Sequence, residues 1–378
     1  MKRILYLVST LQKAGPTNQL SYIIKYLDKN KYEPIVVTLS PEFKSSMIDY
    51  YKIDLNIRVE TLNLSRIKGL FFAKQKVENF IKENNIDLIH TQGFRADVLS
   101  AKLNINIPKV ATIRNYPQLD FPMTYGKYKG FLMTKLQIKA LKKLNLCCGV
   151  SDAVAKNLKN TFGLKNIATV RNGVDMDKYF PLTKNEQKTM QSHLKLPNNI
   201  KIWISSIGKD LRKDSTIIAK AFKKLYEEDK NNFIIFIGDG ELRIECETIL
   251  SKNENTLFTG KINNVLDYLQ SSHYFISSSQ AEGLPNAVLE AMACGLPQVL
   301  SDIEPHKEII KLDKKTGVIY KTGSIDELYN AMKDIINCNY EDTSKSVLDL
   351  IKNNLESSKM SNNYQDIYNN LIGEEFDI

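Results

Sequence analysis

The sequence predicts an α/β protein built from two doubly wound, Rossmann-like domains facing a central cleft, and three observations carry that expectation. The chain has 378 residues, roughly twice the length of an ordinary domain. Short apolar, β-branched runs alternate with helical patterns from end to end, the rhythm of βαβ units stacked around parallel sheets. That rhythm breaks once, over the polar stretch 181–199 with a proline near each end, and restarts at Lys201. Such a stretch reads as a linker.

Taken in order, the first half offers strands at 3–9, 35–39, 88–91, 109–113 and 146–150, with helices at 18–27, 73–83 and 96–103 between them. The first of these helices follows Lys13-Ala14-Gly15-Pro16-Thr17-Asn18, where Thr17 or Asn18 is the expected cap. Asn172-Gly173 closes a further short strand. The second half repeats the pattern with strands at 201–207, 233–237, 256–259 and 274–277, and with helices reaching to Tyr226 and Leu250. The expected divisions are 1–172, 173–355 and a final helical segment, 356–378, packing back on the first domain. In sheets of this kind ligands bind beyond the carboxyl ends of the strands, so the residues just after each strand are the candidates for function.

Composition excludes several classes. With 43% hydrophobic and 25% charged residues the chain is globular rather than disordered. The start, Met1 to Val8, turns polar at Ser9 before a signal-peptide core can form, and no apolar run reaches about 18 residues. A cytoplasmic protein is the expectation. The five cysteines and four histidines make no metal-binding spacing. The charge is uneven: residues 1–175 hold 28 Lys+Arg against 13 Asp+Glu, and the remainder 24 against 30. The excess concentrates in 121–151, where Lys127, Lys129, Lys135, Lys139, Lys142 and Lys143 are interleaved with aromatic and apolar residues and no carboxylate occurs. A basic amphipathic segment of this kind suits an anionic membrane surface; the plainer reading is a solvated helix face. No recognition motif accompanies the charge, so nucleic acid is not an expected partner.

The richest motif runs from Ser277 to Pro297. A strand ends near Ser277, a glycine-containing turn follows, Pro285 suits a first helical turn, and Gly295 can close the helix in a left-handed cap. The amides of Gly283, Leu284, Pro285's neighbourhood and Asn286 then sit at a helix N-terminus, a place that favours a phosphate or sugar oxygen. Glu290, one to two turns inside, can accept two hydrogen bonds from a ribose diol, and Glu282 lies eight positions earlier in the loop. Alone, the two glutamates also read as a dipole partner and a solvated loop residue.

This stretch resembles the Glu-x7-Glu motif of the retaining family-4 glycosyltransferases, whose fold is GT-B. Arg171-Asn172-Gly173-Val174-Asp175 resembles that family's Asn-Gly-Val-Asp junction, Gly238-Asp239-Gly240 its Gly-x-Gly turn, and the segment through Gly15 its first glycine-rich loop. The resemblance implies that Glu290 binds the donor ribose and Glu282 the donor sugar and phosphate. It implies that a basic pair after the first strand of the second domain neutralises the pyrophosphate. Here that region is Gly208-Lys209-Asp210-Leu211-Arg212-Lys213: Lys213 matches the lysine, and Lys209 or Arg212 takes the arginine's place. A lysine there supplies a point charge without the bidentate fork. In the first domain, His90 and Gln92 occupy a region often written His-x-His, with Gln92 able to bind a hydroxyl but not to carry a proton; His90 reads equally as an ordinary packed histidine. Arg114 with Asn115, and Asn172, point toward the sugar or acceptor on the same reading.

No Walker-type loop and no dinucleotide Gly-x-Gly-x-x-Gly occurs, which argues against ATP-dependent phosphoryl transfer and hydride transfer. Asp175-Met176-Asp177 matches a metal-binding Asp-x-Asp only by spelling, since no strand hairpin surrounds it; no metal or other cofactor is expected. The implied activity is transfer of a hexose or N-acetylhexosamine from a nucleotide diphosphate sugar, UDP-linked by expectation, to a glycan or lipid-linked acceptor at the inner face of the membrane. A sugar-nucleotide epimerase of similar fold and a catalytically silent partner subunit are the alternatives. A glycosidase has no use for a phosphate-binding pair.

Overall fold

The computed structural model describes residues 1–208, 211–251 and 254–373, and the chain divides into two compact units, Met1–Gly173 with Ser357–Ile378 and Val174–Glu356. In the first unit the order is β1 (Lys2–Val8), α1 (Gly15–Lys25), β2 (Tyr32–Thr38), β3 (Arg58–Thr61), α2 (Arg66–Glu83), β4 (Leu88–Gln92), α3 (Phe94–Ser100), β5 (Lys109–Ile113), α4 (Pro117–Tyr125), α5 (Lys127–Leu141), β6 (Leu146–Gly149), α6 (Asp152–Phe162) and β7 (Ile167–Thr169). The strands form one parallel sheet in the order β3-β2-β1-β4-β5-β6-β7. Central β1 shows why such strands read as continuous apolar runs, for both its faces are covered. Ile4, Tyr6 and Val8 pack with Leu20, Ile23, Tyr364 and Tyr368, whereas Leu5 and Leu7 pack on the other side with Val77, Ile81 and Ala96.

The second unit runs α7 (Lys184–His193), β8 (Lys201–Ile207), α8 (Ser215–Glu228), β9 (Asn232–Gly238), α9 (Arg243–Leu250), β10 (Thr256–Gly260), α10 (Val265–Ser271), β11 (Tyr274–Ser277), α11 (Asn286–Ala293), β12 (Gln298–Ser301), α12 (Glu304–Leu312), β13 (Gly317–Tyr320), α13 (Ile325–Asn337) and α14 (Tyr340–Leu350). Its parallel sheet has the order β10-β9-β8-β11-β12-β13. The last helix, α15 (Ser357–Gly373), belongs to the first unit, where Ser361 donates to the carbonyl of Ile23 at 2.7 Å and Tyr364 and Tyr368 enter the core. In each sheet the chain winds outward in one direction and then returns past its first strand. The strand order therefore reverses between β1 and β4, and again between β8 and β11, and these reversals are where ligands bind in doubly wound sheets.

Three local expectations need correction. The stretch 181–199 is not a bare linker: it contains α7, opened by a capping box in which Thr183 and Glu186 satisfy each other's backbone amides. Gln187 and Gln191 tie this helix to the carbonyls of Gln270, Ser271 and Ser272. Polarity there reflects a helix with one buried glutamine face. Secondly, α1 begins at Gly15 with Ala14 at its cap and no side-chain cap; Thr17 lies inside the helix and donates to the carbonyl of Gln12 at 2.7 Å. Thirdly, Pro285 is the residue before α11, not a member of its first turn.

One buried carboxyl holds the lysine-rich helix in place. Asp97 of α3 is fully buried and accepts from Thr91 at 2.6 Å and from Gln137 of α5 at 2.8 Å. Burial outweighs these two bonds and pushes its pKa up to about 7. A carboxyl whose folded pKa exceeds its unfolded value stabilises fully below the unfolded pKa and loses that contribution as pH rises through the folded one. The loss here spans pH 4 to 7 and is on the order of 2–4 kcal/mol. Asp97→Asn keeps the acceptor for Thr91, and its amide can meet the Gln137 Oε1, which is buried without a partner among the described residues. Denaturant titrations should show the wild type losing stability from pH 5 to pH 8 and Asp97→Asn losing distinctly less. Parallel curves for the two proteins would contradict this account.

Candidate functional site

In the second unit, the residues expected to bind the donor gather at the carboxyl ends of β8, β9 and β11, around the β8/β11 reversal. A short helical turn, Leu211–Lys213, precedes α8. Gly208 leaves room for it: a Cβ there would lie 2.5 Å from Cγ of Lys213, so a side chain would displace the lysine. Lys209 lies outside the described residues. The turn is pinned from the neighbouring strand: Ser278 donates to the carbonyls of Lys213 at 2.5 Å and Asp214 at 3.1 Å, and the Gln280 amide donates to the carbonyl of Arg212 at 2.8 Å. Asp214 holds a left-handed backbone, φ +47°, a conformation uncommon for residues with side chains and best tolerated by Asn and Asp. Its carboxylate accepts from the Gln280 side chain at 3.0 Å.

This clamp brings Lys213 Nζ to 2.6 Å from Oε1 of Glu282, with both side chains about one-quarter exposed. Ser279 donates to the same oxygen at 3.0 Å. Burial alone pushes the Glu282 carboxyl up, but the Lys213 ammonium, as both charge and hydrogen-bond donor, and the Ser279 hydroxyl outweigh it and hold the group below the ordinary glutamate value. The site therefore holds a partly buried cation and anion side by side, each with one face open to solvent. His306 was not evident from sequence, since a lone histidine carries no signal. It is fully buried on α12, hydrogen-bonded through Nδ1 to Ser301 at 3.0 Å, and burial pushes its pKa down to about 4, so it is neutral.

Glu290 sits in the middle of α11 and is half-buried. Burial pushes its pKa up to about 7, against the pull of the Lys178 ammonium and a hydrogen bond from the Tyr179 hydroxyl. These two partners come from the segment after the Asn172-Gly173 junction, a connection the spacing does not reveal. Leu284 is buried, and Gly283 and Pro285 with it, whereas Asn286 at the helix start is half-buried. Gly295 has φ +80°, and a Cβ there would meet the Ser344 hydroxyl at 2.9 Å. At the end of β9, Gly238 has φ +98° and a Cβ would lie 2.6 Å from the carbonyl oxygen of Ile207. The turn it allows is closed by the Gly240 amide donating to Asp239 at 3.0 Å.

The first unit gathers a second group at the carboxyl ends of its strands. Arg114, just after β5, donates to Gln92 Oε1 at 2.7 Å and to Asn172 Oδ1 at 3.1 Å. Burial lowers the Arg114 pKa to about 10, so it stays charged. Gln92 Nε2 and Arg114 Nε are buried with no partner among the described residues, which leaves two donors suited to an oxygen-rich ligand. Gly15, at the start of α1, is half-buried on the same edge. The Asn172-Gly173 junction is fixed by Gln19 of α1, which donates to the carbonyl of Gly173 at 2.7 Å and accepts from its amide at 3.1 Å.

His90 does not join this group: of its two sequence readings, a sugar- or acceptor-side residue and an ordinary packed histidine, the structure shows the packed one. Its ring has no exposed surface; Nδ1 meets the Tyr368 hydroxyl and Nε2 the Thr112 hydroxyl, each at 2.7 Å. Burial, with Arg114 nearby, pushes its pKa down to about 3. His90 is a neutral hub of a hydroxyl network that includes Tyr6 and Tyr364, and α15 completes it. Asp175 and Asp177 make a local turn, the Asp177 amide donating to Asp175 at 3.2 Å. Among the described residues no cluster of three metal-ligating side chains occurs.

The family described as Glycosyltransferase Family 4 matches residues 14–178, and that described as Glycosyl transferases group 1 matches residues 187–357. The chain is 24% identical over 82% of its length to 82% of the UDP-Gal:alpha-D-GlcNAc-diphosphoundecaprenol alpha-1,3-galactosyltransferase of Escherichia coli. It is equally similar, over 81% of its length and 82% of the relative, to the N,N'-diacetylbacillosaminyl-diphospho-undecaprenol alpha-1,3-N-acetylgalactosaminyltransferase of Campylobacter jejuni. Among solved structures, Anabaena HepE in complex with UDP superposes with a TM-score of 0.79 at 17% identity, over 98% of this chain and 100% of that one.

Proposed function

The chain belongs to the family-4 glycosyltransferases of the GT-B fold, and on that premise we propose that it moves a hexose or N-acetylhexosamine from a UDP-linked donor to an acceptor hydroxyl with retention at the anomeric carbon. The observation that carries this reading is the Lys213–Glu282 pair, 2.6 Å apart on the two loops that flank the β8/β11 reversal. A nucleoside diphosphate leaving group gathers negative charge as the glycosidic bond breaks, and a pre-positioned ammonium in a partly buried site stabilises that charge. Lys213 supplies it, with Arg212 beside it in the same short turn, so we read the reaction as metal-independent. Glu282 then orients the sugar through its hydroxyls, and Glu290 takes the ribose diol. Among the described residues we assign no second carboxylate as a nucleophile; in our reading the leaving phosphate itself assists the acceptor proton in a same-face displacement. Positioning and charge supply the catalysis.

On the acceptor side, Gln92, Arg114 and Asn172 present hydrogen-bonding groups to a glycan oxygen. The diphosphoundecaprenol acceptors named for two relatives support a lipid-linked glycan, and a role in surface polysaccharide or glycolipid assembly. The six lysines of 127–143 are all exposed and suit an anionic leaflet. No helix among the described residues is long and apolar enough to cross a membrane, and we place the enzyme peripherally at the inner face. The test is incubation with UDP-glucose, UDP-galactose and their N-acetyl counterparts, with and without a lipid extract, scored by UDP release and by the anomeric coupling of the product. Acceptor-dependent UDP release with an α-linked product is the expected result. Epimerised donor without acceptor, or no UDP release with any donor, would overturn the reading.

A further inference from the structure

We propose that the first two turns of α2 form an apolar wedge that enters the headgroup and acyl boundary of an anionic bilayer, beside the α4–α5 hairpin. This rests on the peripheral-membrane reading above and adds to it a contact that is not electrostatic. Ile67, Leu70, Phe71 and Phe72 are 72%, 80%, 74% and 53% exposed, a density of bare apolar surface unusual for a solvated helix. The helix buries Ala73, Val77 and Ile81. Leu70 lies on that same stripe, two turns before Val77, yet stays exposed, so the start of α2 overhangs its domain.

The shape of the overhang selects its partner. At roughly 100° per residue, Leu70, Phe71 and Phe72 point in three directions spanning about 200° around the axis. A protein groove covers one side of a helix; a stub that is apolar on several sides suits a medium that surrounds it. The charge agrees: from 61 to 77 the chain carries Arg66, Lys68, Lys74 and Lys76 and no carboxylate, the complement of anionic headgroups. The stub is also continuous with the lysine-rich hairpin. A Cβ on Gly69 would lie 3.0 Å from Nη2 of Arg95, its neighbour Phe94 packs edge-on against Phe121 of α4 at 5.6 Å, and Phe121 meets Tyr125 at 6.3 Å. The hairpin adds Met123, Tyr128, Phe131 and Leu132, all more than half exposed. Helices α2 and α4 both start a few residues beyond a strand's carboxyl end, the edge that also carries Gln92 and Arg114. A wedge there holds the membrane surface next to the acceptor-side residues.

The test uses the full chain and vesicles of phosphatidylcholine with about one-third phosphatidylglycerol. A Phe71→Trp reporter, read against the buried Trp203 as internal reference, should shift to the blue and be quenched by lipids brominated on their acyl chains. Combined Leu70→Ser, Phe71→Ser and Phe72→Ser should lower vesicle partitioning about tenfold at 0.5 M salt, where screening has removed most of the lysine contribution. A separate variant with Lys127, Lys129, Lys135 and Lys139 changed to Gln tests the wider membrane reading at low salt. Loss of binding in the lysine variant, with no quenching of the reporter and unchanged partitioning of the serine variant, would refute the wedge and leave the membrane reading standing. No binding by the wild type at low salt would overturn both. A dimer of the free protein that the serine substitutions disperse, with vesicle partitioning untouched, would assign the surface to a second copy of this chain instead. An unchanged far-ultraviolet circular dichroism spectrum and a single cooperative melt like that of the wild type confirm that the serine variant folds.

Discussion

Lys213→Met should lower kcat by about a hundred- to a thousandfold while leaving the protein folded, the magnitude that follows loss of one pre-positioned charge-stabilising group. The variant removes the ammonium that lies 2.6 Å from Glu282, and two effects follow. The diphosphate loses the cation that meets its developing charge. Glu282 loses the partner that offsets its burial, so its carboxyl moves up from its present depressed value and spends more time protonated. Glu282→Gln should also fall steeply in kcat, because the amide keeps the Ser279 hydrogen bond but offers the sugar a different set of donors and acceptors. UDP affinity separates the two: Lys213→Met weakens it, whereas Glu282→Gln leaves it nearly intact. The double variant should be far less impaired than the product of the two singles, since each change already disables the pair. Single variants within a few-fold of wild-type turnover would remove the pair from the reaction.

The sheets were largely legible because parallel strands covered on both faces read as uninterrupted apolar runs, and these do not depend on distant context. The site in the second unit was legible for a related reason. Gly208, Gly238 and Gly295 stand where a Cβ would strike Lys213, the Ile207 carbonyl or the Ser344 hydroxyl, so the glycines that mark the motif are demanded by the packing that makes the site. What failed was the inference from polarity to solvent. The stretch around α7 is polar because Gln187 and Gln191 cap carbonyls at the end of α10, and no local pattern announces such a partner. His90 lies in the middle of β4, and the choice between a packed and a sugar-side histidine is made by Tyr364 and Tyr368, which arrive from the other end of the chain to seal it in the core. The expected helix at 73–83 begins earlier, at Arg66, and only the fold reveals that the apolar residues of this added start are exposed. Lys178 and Tyr179, which set the environment of Glu290, lie more than a hundred residues away from it.

UDP binding should weaken about tenfold between pH 8 and pH 6, and Glu290 is the reason. Its burial lifts the pKa to about 7, so near neutrality the free protein is divided between carboxylic acid and carboxylate. A ribose diol donates two hydrogen bonds and therefore selects the carboxylate. Binding must then expel a proton from the protonated fraction, and each pH unit below 7 costs about a factor of ten in affinity. Calorimetry in buffers of different ionisation enthalpy should register release of the better part of one proton per UDP near pH 6.5. The terminal phosphate of UDP titrates close to the same range, so Glu290→Gln is the reference: the dependence it shares with wild type belongs to the ligand, and the excess in wild type belongs to Glu290. That variant should also bind UDP about ten- to a hundredfold more weakly at pH 8, the worth of hydrogen bonds to a charged group. Tyr179→Phe supplies the sign. Its hydroxyl stabilises the ionised carboxyl, so removing it should raise the Glu290 pKa further and move the midpoint of UDP binding to higher pH. Superimposable pH profiles for wild type and Glu290→Gln, or a Tyr179→Phe midpoint displaced toward acid, would take Glu290 out of the nucleotide site.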